Sequence, residues 1–551
     1  MYSKKIAYFS MGSGIHNDLL TYGGGLEILA GDMIKEVIDS KGKYPVTFFH
    51  LLWKKGYTLQ SVNENGEVID HEPQNNNWQK YLVDTGKTVS VRIFQSNVIV
   101  KIWKLKNGPV YYLDTDVAEN GGFCNITHHL YGGAWDHPEK ERIAQEIVLG
   151  VGGVRAIAEL GLSIDGYHYN DGHPAFAGVE LISQRMRYYR DAYPDMSEED
   201  HFKRALKHVK ERTAFTTHTN VPAGNESHAI NLLMEVGANV DLSYEQMEKI
   251  GGNPFGMTVA SLRLSSMANG VSRIQVSAAK DMWHWVKEAP NIIAITNGVH
   301  KATWQDPRIT KAFEALDIDG IYQAHKECKA ELVDIINERT NAGFDTERVL
   351  IAFSRRATEY KRWNLIFRDK NKFERLVNNH NIQIVFAGKA HRHDGSGKSF
   401  ISEIHHLSKK YPNNVVFLEG YDIALAQKLV SGADIWLNNP RVPLEACGTS
   451  GMKAAMNGVL NFSTLDGWWR EAAQHGINGW NIGNGEQYQD ESDAQYLIHT
   501  LENEVLPAYA RPDIWKNMMF SSITTSNQYT AARMLEEYYV NLYNYLKHTI
   551  V

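Results

Sequence analysis

The sequence predicts an α/β protein made of two doubly wound, mainly parallel sheets. Three observations predict it. At 551 residues the chain is too long for one hydrophobic core, so two or three domains are expected. Short apolar runs alternate with helical stretches, which implies parallel strands joined by right-handed crossovers. Several of those runs end in polar clusters, and in open α/β sheets ligands bind at the carboxyl ends of strands.

In the first half, Ile6-Ala7-Tyr8-Phe9 reads as a buried strand. Gly23, Gly24 and Gly25 then open a helix with apolar residues at Leu26, Leu29, Ala30 and Met33. Glycine lets a backbone approach a ligand closely, and a helix N-terminus favours an anion. The spacing is not the dinucleotide fingerprint, and a turn needed only for packing fits it equally well. Residues 46–53, 89–94, 98–105 and 109–116 read as further strands, some in antiparallel hairpins, and 139–159 as one long helix. Three strand ends follow: Asn170-Asp171-Gly172-His173, Thr217-His218-Thr219-Asn220 and Thr296-Asn297-Gly298. Each alone is more often a turn or cap, but three in one half point to a cleft.

In the second half, 349–353, 382–387, 414–418, 435–437 and 459–462 are strand-length apolar runs. The first ends in Ser354-Arg355-Arg356-Ala357-Thr358-Glu359-Tyr360-Lys361-Arg362, whose cations at a strand end suit an oxyanion. The run 435–437 leads to Glu445-Ala446-Cys447-Gly448-Thr449-Ser450-Gly451-Met452-Lys453. A glycine and hydroxyl turn opening a helix leaves N–H groups for a phosphate, with an amine one turn in. Phosphate cradle plus amine is what a pyridoxal-phosphate pocket needs, although taken locally an ordinary helix start is the commoner reading. Gly395-Ser396-Gly397-Lys398-Ser399 lacks the first glycine of a nucleotide P-loop and reads as a surface loop. A hinge is expected near 300–345 and a terminal helix over 527–547.

Composition narrows the classes. The apolar fraction of 43% and charged fraction of 22% are globular values. A net charge of −7 disfavours non-specific nucleic-acid binding. The N-terminus runs straight into a strand, no apolar run approaches the ~20 residues of a membrane span, and a cytoplasmic protein is expected. Cys124, Cys328 and Cys447 are scattered and read as reduced thiols without zinc-type spacing, so no metal is expected.

The run Glu445 to Lys453, followed by Thr464-Leu465-Asp466-Gly467-Trp468-Trp469, resembles the cofactor segment of the α-glucan (glycogen and maltodextrin) phosphorylases, in their short unregulated form. The similarity extends over nearly the whole chain, with the motifs in the family's order. The resemblance implies a GT-B fold, two Rossmann-like domains facing each other across a cleft: residues 1–300, residues 301–525, and a final segment 526–551 returning to the first. It implies a retaining enzyme that moves the non-reducing-end glucosyl unit of an α-1,4-glucan to inorganic phosphate, giving glucose 1-phosphate. It implies pyridoxal 5′-phosphate in a Schiff base to Lys453, with its phosphate met by Gly448, Thr449, Ser450 and Arg355 and with Tyr421 alongside. Substrate phosphate falls to Arg356, Lys361 and the Gly24-Gly25-Leu26 loop. Glucosyl contacts fall to Asn297, Tyr360, Glu445, Asp171 and His173, and the main-chain carbonyl of His218 faces the anomeric carbon. A homodimer is the family's habit. Glu27, where the family usually keeps glycine, would oppose phosphate if it points inward; Gly12 stands where the family usually has glutamate, and Gln275-Val276 where His-Gly or His-Ser is usual. Rival readings are a transferase using a nucleotide-sugar donor and a glucan-binding pseudoenzyme.

Overall fold

The computed structural model describes residues 2–130, 132–221, 224–380, 382–486 and 489–547. The first sheet has nine strands, in the order Ile292–Ala294, Met267–Gly270, Thr213–Thr217, Gly166–Asn170, Ile6–Phe9, Val46–Leu51, Val110–Asp114, Ser96–Leu105, Leu82–Ile93. The first seven run parallel, and the last two form an antiparallel hairpin at one edge. Central strands such as Ile6–Phe9 are buried at every position, because helices cover both faces of a parallel sheet.

The second sheet has six parallel strands, ordered Val415–Leu418, Gln383–Ala387, Leu350–Ser354, Ile435–Asn438, Leu460–Thr464, Gly479–Ile482. Numbered within this sheet, the order is 3-2-1-4-5-6, that of a dinucleotide-type doubly wound fold. Its direction reverses between Leu350–Ser354 and Ile435–Asn438, the kind of switch point at which open α/β sheets bind ligands. One face is covered by helices Ile318–Thr340, Ile423–Gly432 and Thr449–Met456, which share a core of Leu332, Leu429, Met452 and Met456.

Helix Ala531–Asn541 packs on the first sheet, placing Met534, Leu535, Tyr538 and Tyr539 against Ile6, Tyr8 and Phe48. It is shorter than the expected 527–547, because the chain leaves helical geometry at Leu542 (φ −121°, ψ −64°). The expected hinge near 300–345 is filled by helices Lys301–Trp304, Pro307–Glu314 and Ile318–Thr340. The expected surface loop at Gly395–Ser399 instead opens helix Gly395–Lys410. Asp394 caps it by accepting the Gly397 N–H at 2.8 Å, an N-cap that outweighs the glycine content. The helix expected over 139–159 is continuous but carries a π turn at Val148–Gly152. Among the described residues, no helix is long and apolar enough to cross a membrane.

Candidate active site

The basic segment leaves the second sheet at its switch point. Ser354 ends the strand, Arg355 and Arg356 follow, and a 3-10 turn over Glu359–Lys361 brings Lys361 back inward. Glu445 arrives from the neighbouring strand's loop. Lys361 Nζ donates to Glu445 Oε2, Arg355 Nη1 lies 3.6 Å from the same oxygen, and the Lys361 amine sits 4.5 Å from the Tyr360 ring centroid. Arg355 is buried, and its Nε and Nη1 have no hydrogen-bond partner among the described residues. Buried guanidinium N–H groups left unbonded are costly, so this geometry suits an incoming anion. Burial pushes the Lys361 ammonium down to about 8, with Glu445 opposing and Arg355 adding. Burial also opposes ionisation of Glu445, but Lys361 and Arg355 outweigh it and hold the carboxyl below its ordinary value. Asp466 fixes this loop by accepting the Glu445 N–H at 2.9 Å. Burial pushes Asp466 itself up to about 7.

Of the cations read as one trap, Arg362 is turned elsewhere. It bonds Asp493 at 2.6 Å and the Asn439 carbonyl at 2.7 Å, and so anchors the turn. Arg356 is exposed. It lies close enough to Tyr57 of the first lobe to oppose the upward push that burial gives that hydroxyl. Burial likewise raises Tyr421, against which Ser354 and Arg355 act.

Gly448 precedes helix Thr449–Met456 with φ +81°, a left-handed conformation that glycine adopts without strain. It turns the chain into the helix, whose first-turn N–H groups of Thr449 and Ser450 have no intrahelical acceptor. One turn on, Lys453 is buried, its Nζ 3.7 Å from the Trp304 ring centroid. Trp304 Nε1 donates to both oxygens of Asp32, at 2.8 and 3.0 Å. Asp32 belongs to the glycine-loop helix Gly25–Asp39 of the first lobe, so this contact joins the two lobes. Burial pushes the Lys453 amine down to about 8 although Asp32 opposes it. The sequence reading missed Asp32, Trp304 and the part played by Asp466. A signal existed for Asp32: it is an acidic residue on the apolar stripe of Leu29, Ala30 and Met33.

The other wall is differently built. Gly24 caps the glycine-loop helix, and Gly25 faces open space. Leu26 is half-buried beside them. Glu27 does not project at the glycines' anion side as a bare carboxylate: it is buried and its Oε2 accepts the Gly24 N–H at 2.9 Å, closing a capping box. A Cβ at position 12 would lie 3.4 Å from Glu27 Cγ and 2.2 Å from the Thr21 carbonyl oxygen. Thus the departures at 12 and 27 meet in space. Asp171 adopts φ +66°, and its carboxyl accepts the Gly172 N–H at 3.0 Å and the Thr219 hydroxyl at 3.2 Å. Burial pushes it up to about 6. His218 Nε2 donates to Asn170 Oδ1 at 2.6 Å, and burial, helped by His173, holds its imidazole down to about 3. Burial and Arg142 take His173 down to about 4. Asn297 is buried with its Oδ1 unbonded, and its main chain reaches Cys447, two residues from Glu445.

The structure therefore gathers Arg355, Tyr360, Lys361 and Glu445 tightly, and joins Lys453 to Asp32. Asp171, His173 and His218 form a second group, and Asn220 Nδ2 links their wall to the Pro443 carbonyl at 3.0 Å. One group is rich in buried cations, and the other is hydrogen-bonded, with its imidazoles held neutral.

Comparison with known proteins shows what the chain as a whole is similar to. A profile of the carbohydrate phosphorylases matches residues 314–476. The chain is 35% identical to a maltodextrin phosphorylase of Thermococcus litoralis, over 98% of this chain and 71% of that one. It is 34% identical to an uncharacterized protein of Methanocaldococcus jannaschii, over 98% of this chain and the whole of the other. It is 32% identical to a glycogen phosphorylase of Aquifex aeolicus, over 98% of this chain and 86% of that one.

Proposed function

The chain belongs to the carbohydrate phosphorylase family, and on that premise we propose that it is a retaining α-1,4-glucan phosphorylase releasing glucose 1-phosphate from the non-reducing end of maltodextrin or glycogen. The observation that supports this reading most is the buried, unbonded guanidinium of Arg355 beside the Lys361–Glu445 pair at the switch point. Two anions brought together repel, and only a concentrated set of cations and N–H groups holds both.

The residues present fit pyridoxal phosphate: a buried amine with a pKa lowered to about 8, a left-handed glycine opening a helix, and unbonded guanidinium nitrogens. Lys453 holds it, while Arg355 and the N–H groups of Gly448, Thr449 and Ser450 take its anionic end, with Tyr421 alongside. When bound, that group supplies a phosphate that gives and takes a proton beside the substrate phosphate. Arg356, Lys361 and the Gly25 N–H hold inorganic phosphate, with Gly24 and Leu26 shaping that end. Tyr360, Glu445 and Asn297 orient glucosyl hydroxyls, and Asp171 and His173 line the glucan side. His218, kept neutral by burial, adds no positive charge where the sugar ring becomes cationic, and its carbonyl dipole favours that charge.

Phosphorolysis of maltoheptaose tests the reading. Wild type is expected to release glucose 1-phosphate and to absorb visible light, and Lys453→Ala to do neither. Release by both proteins removes Lys453 and its cofactor from the mechanism. Maltodextrin binding without release by wild type assigns a pseudoenzyme, and glucosyl transfer from a nucleotide sugar assigns the rival enzyme.

A further inference from the structure

Behind the Asp171–His173 wall lies a polar cluster that the phosphorolysis reading does not use. Glu146, on helix Pro138–Ile147, is fully buried, and neither of its carboxylate oxygens accepts from an N–H or hydroxyl donor among the described residues; the Glu226 carboxyl is the group within hydrogen-bonding reach of it. His228, in the short strand Ser227–His228, is 5% exposed. Its Nδ1 donates to Glu139 at 2.9 Å, which leaves a lone pair on Nε2. That Nε2 is unbonded and lies 3.9 Å from Glu146 Oε2. Glu226 completes the group. The ligand atoms of Glu146, Glu226 and His228 all fall within 4.8 Å of one another.

We propose that Glu146, Glu226 and His228 bind one divalent cation of the Zn2+ or Mn2+ class. Two carboxylates and a neutral imidazole are a donor set such ions take. Glu139 on the far ring nitrogen is the second partner that metal-bound histidines ordinarily have, fixing the tautomer and the ring. Three carboxyl groups, of Glu139, Glu146 and Glu226, stand against the single guanidinium of Arg142, and a divalent ion offsets the charge that releasing the Glu146 proton would leave. Arg142 does not close the site. It bonds Glu226 at 2.8 Å and lies 3.5 Å from Glu146, but each carboxylate oxygen has two lone pairs, so Glu226 can meet both the guanidinium and an ion. The alternative is a proton on Glu146, whose affinity for it burial and the Glu226 charge raise. His173 Nε2 stands 3.9 Å from Glu226, so an ion here would brace the glucan wall against helix Pro138–Ile147. The sequence shows no zinc-type spacing because Glu226 and His228 are two residues apart on one segment while Glu146 comes from a distant helix.

Metal content and unfolding midpoint are measured on full-length protein in a Cys124→Ser background. That substitution removes a second, partly exposed trio of Asp116, Cys124 and His128 from the count. After EDTA treatment and desalting, Zn2+ and Mn2+ are returned separately. The expected result is about one ion per chain with a raised midpoint, because binding to the folded state stabilises it. Glu146→Gln and His228→Asn are expected to lose the ion. Glu139→Gln, altering a half-exposed side chain that leaves the fold intact, should weaken affinity about 10–100-fold. Uptake of neither metal by the wild-type cluster, or unchanged uptake by Glu146→Gln or Glu139→Gln, overturns the site and assigns the buried proton to Glu146.

Discussion

The two walls of the crevice solve different problems. In the second lobe, Arg355, Lys361 and Glu445 are charged, buried and packed against one another, with guanidinium nitrogens left over. In the first lobe, His218 and His173 are held neutral by burial, and Asp171 is bonded to its own loop. A multiply charged anion needs cations that have not been neutralised in advance. A sugar needs fixed neutral donors and acceptors, whose loss costs about 0.5–1.5 kcal/mol each. Buried cations gather where phosphate is proposed, whereas the imidazoles where the glucan is proposed are held neutral.

The contrast breaks most easily at Lys361. Lys361→Ala removes the one ammonium that meets Glu445 directly and leaves that carboxylate facing the phosphate position. We expect kcat/KM to fall about 10²–10³-fold, the usual cost of losing one preorganised electrostatic contact. Initial rates of glucose 1-phosphate release check it, and a loss under tenfold would show that the cationic wall does not hold the reacting anion. Arg356→Ala comes next. A charge-assisted contact of about 1.5–3 kcal/mol should raise the phosphate KM roughly 10–150-fold, with the glucan KM nearly unmoved. Equal changes in both would erase the distinction between the walls.

The pH dependence sharpens the same contrast. Lys361 is charged below about 8 and neutral above it, because burial lowers its pKa. Phosphate affinity should therefore weaken as pH rises through that value. Arginine stays protonated there, so Lys361→Arg should flatten the alkaline limb of phosphate KM. His218, His173 and Asp171, at about 3, 4 and 6, complete their titration lower, so glucan KM should change less than phosphate KM from about pH 7 to 9, any change coming through Glu445, which Lys361 and Asp466 hold. A glucan KM that follows phosphate KM even in Lys361→Arg would place an ionising group on the glucan wall.

Much of this organisation was legible in order of hydrophobicity. Fully buried strands such as Leu350–Ser354 and Ile435–Asn438 are continuous apolar runs and announce themselves. Met267–Gly270 and Gly479–Ile482 do not, since Asn269, Gly270 and Asn481 dilute the pattern and neighbouring strands supply the pairing. In the site, the basic segment and glycine turn were readable as local chemistry. Asp32 beside Trp304 and Lys453 was not, because 272 positions of sequence separate it from Trp304, Lys453 lies farther along still, and only packing joins them. The inert place of Arg362 was likewise invisible, because its acceptors at Asn439 and Asp493 lie on other elements.

The smallest effect expected concerns the glycine loop, where Gly12 and Glu27 face each other. If the carboxylate had merely moved from one position to the other, Gly12→Glu would be tolerated once Glu27→Gly made room. The packing says otherwise. A Cβ at 12 meets the Thr21 carbonyl at 2.2 Å, and that carbonyl is fixed by the Ser13 N–H at 2.9 Å. Backbone cannot swing aside as a side chain can, so Gly12→Glu should cost about 1–3 kcal/mol of stability. Glu27→Gly alone should cost about 0.5–2 kcal/mol, through the lost capping contact to Gly24 and the added helix glycine. Denaturant unfolding of both single variants and the pair checks this. Near-additive losses put the constraint at Thr21, whereas a double variant more stable than Gly12→Glu would make the two positions exchangeable, with the carboxylate rather than the loop path deciding the fit.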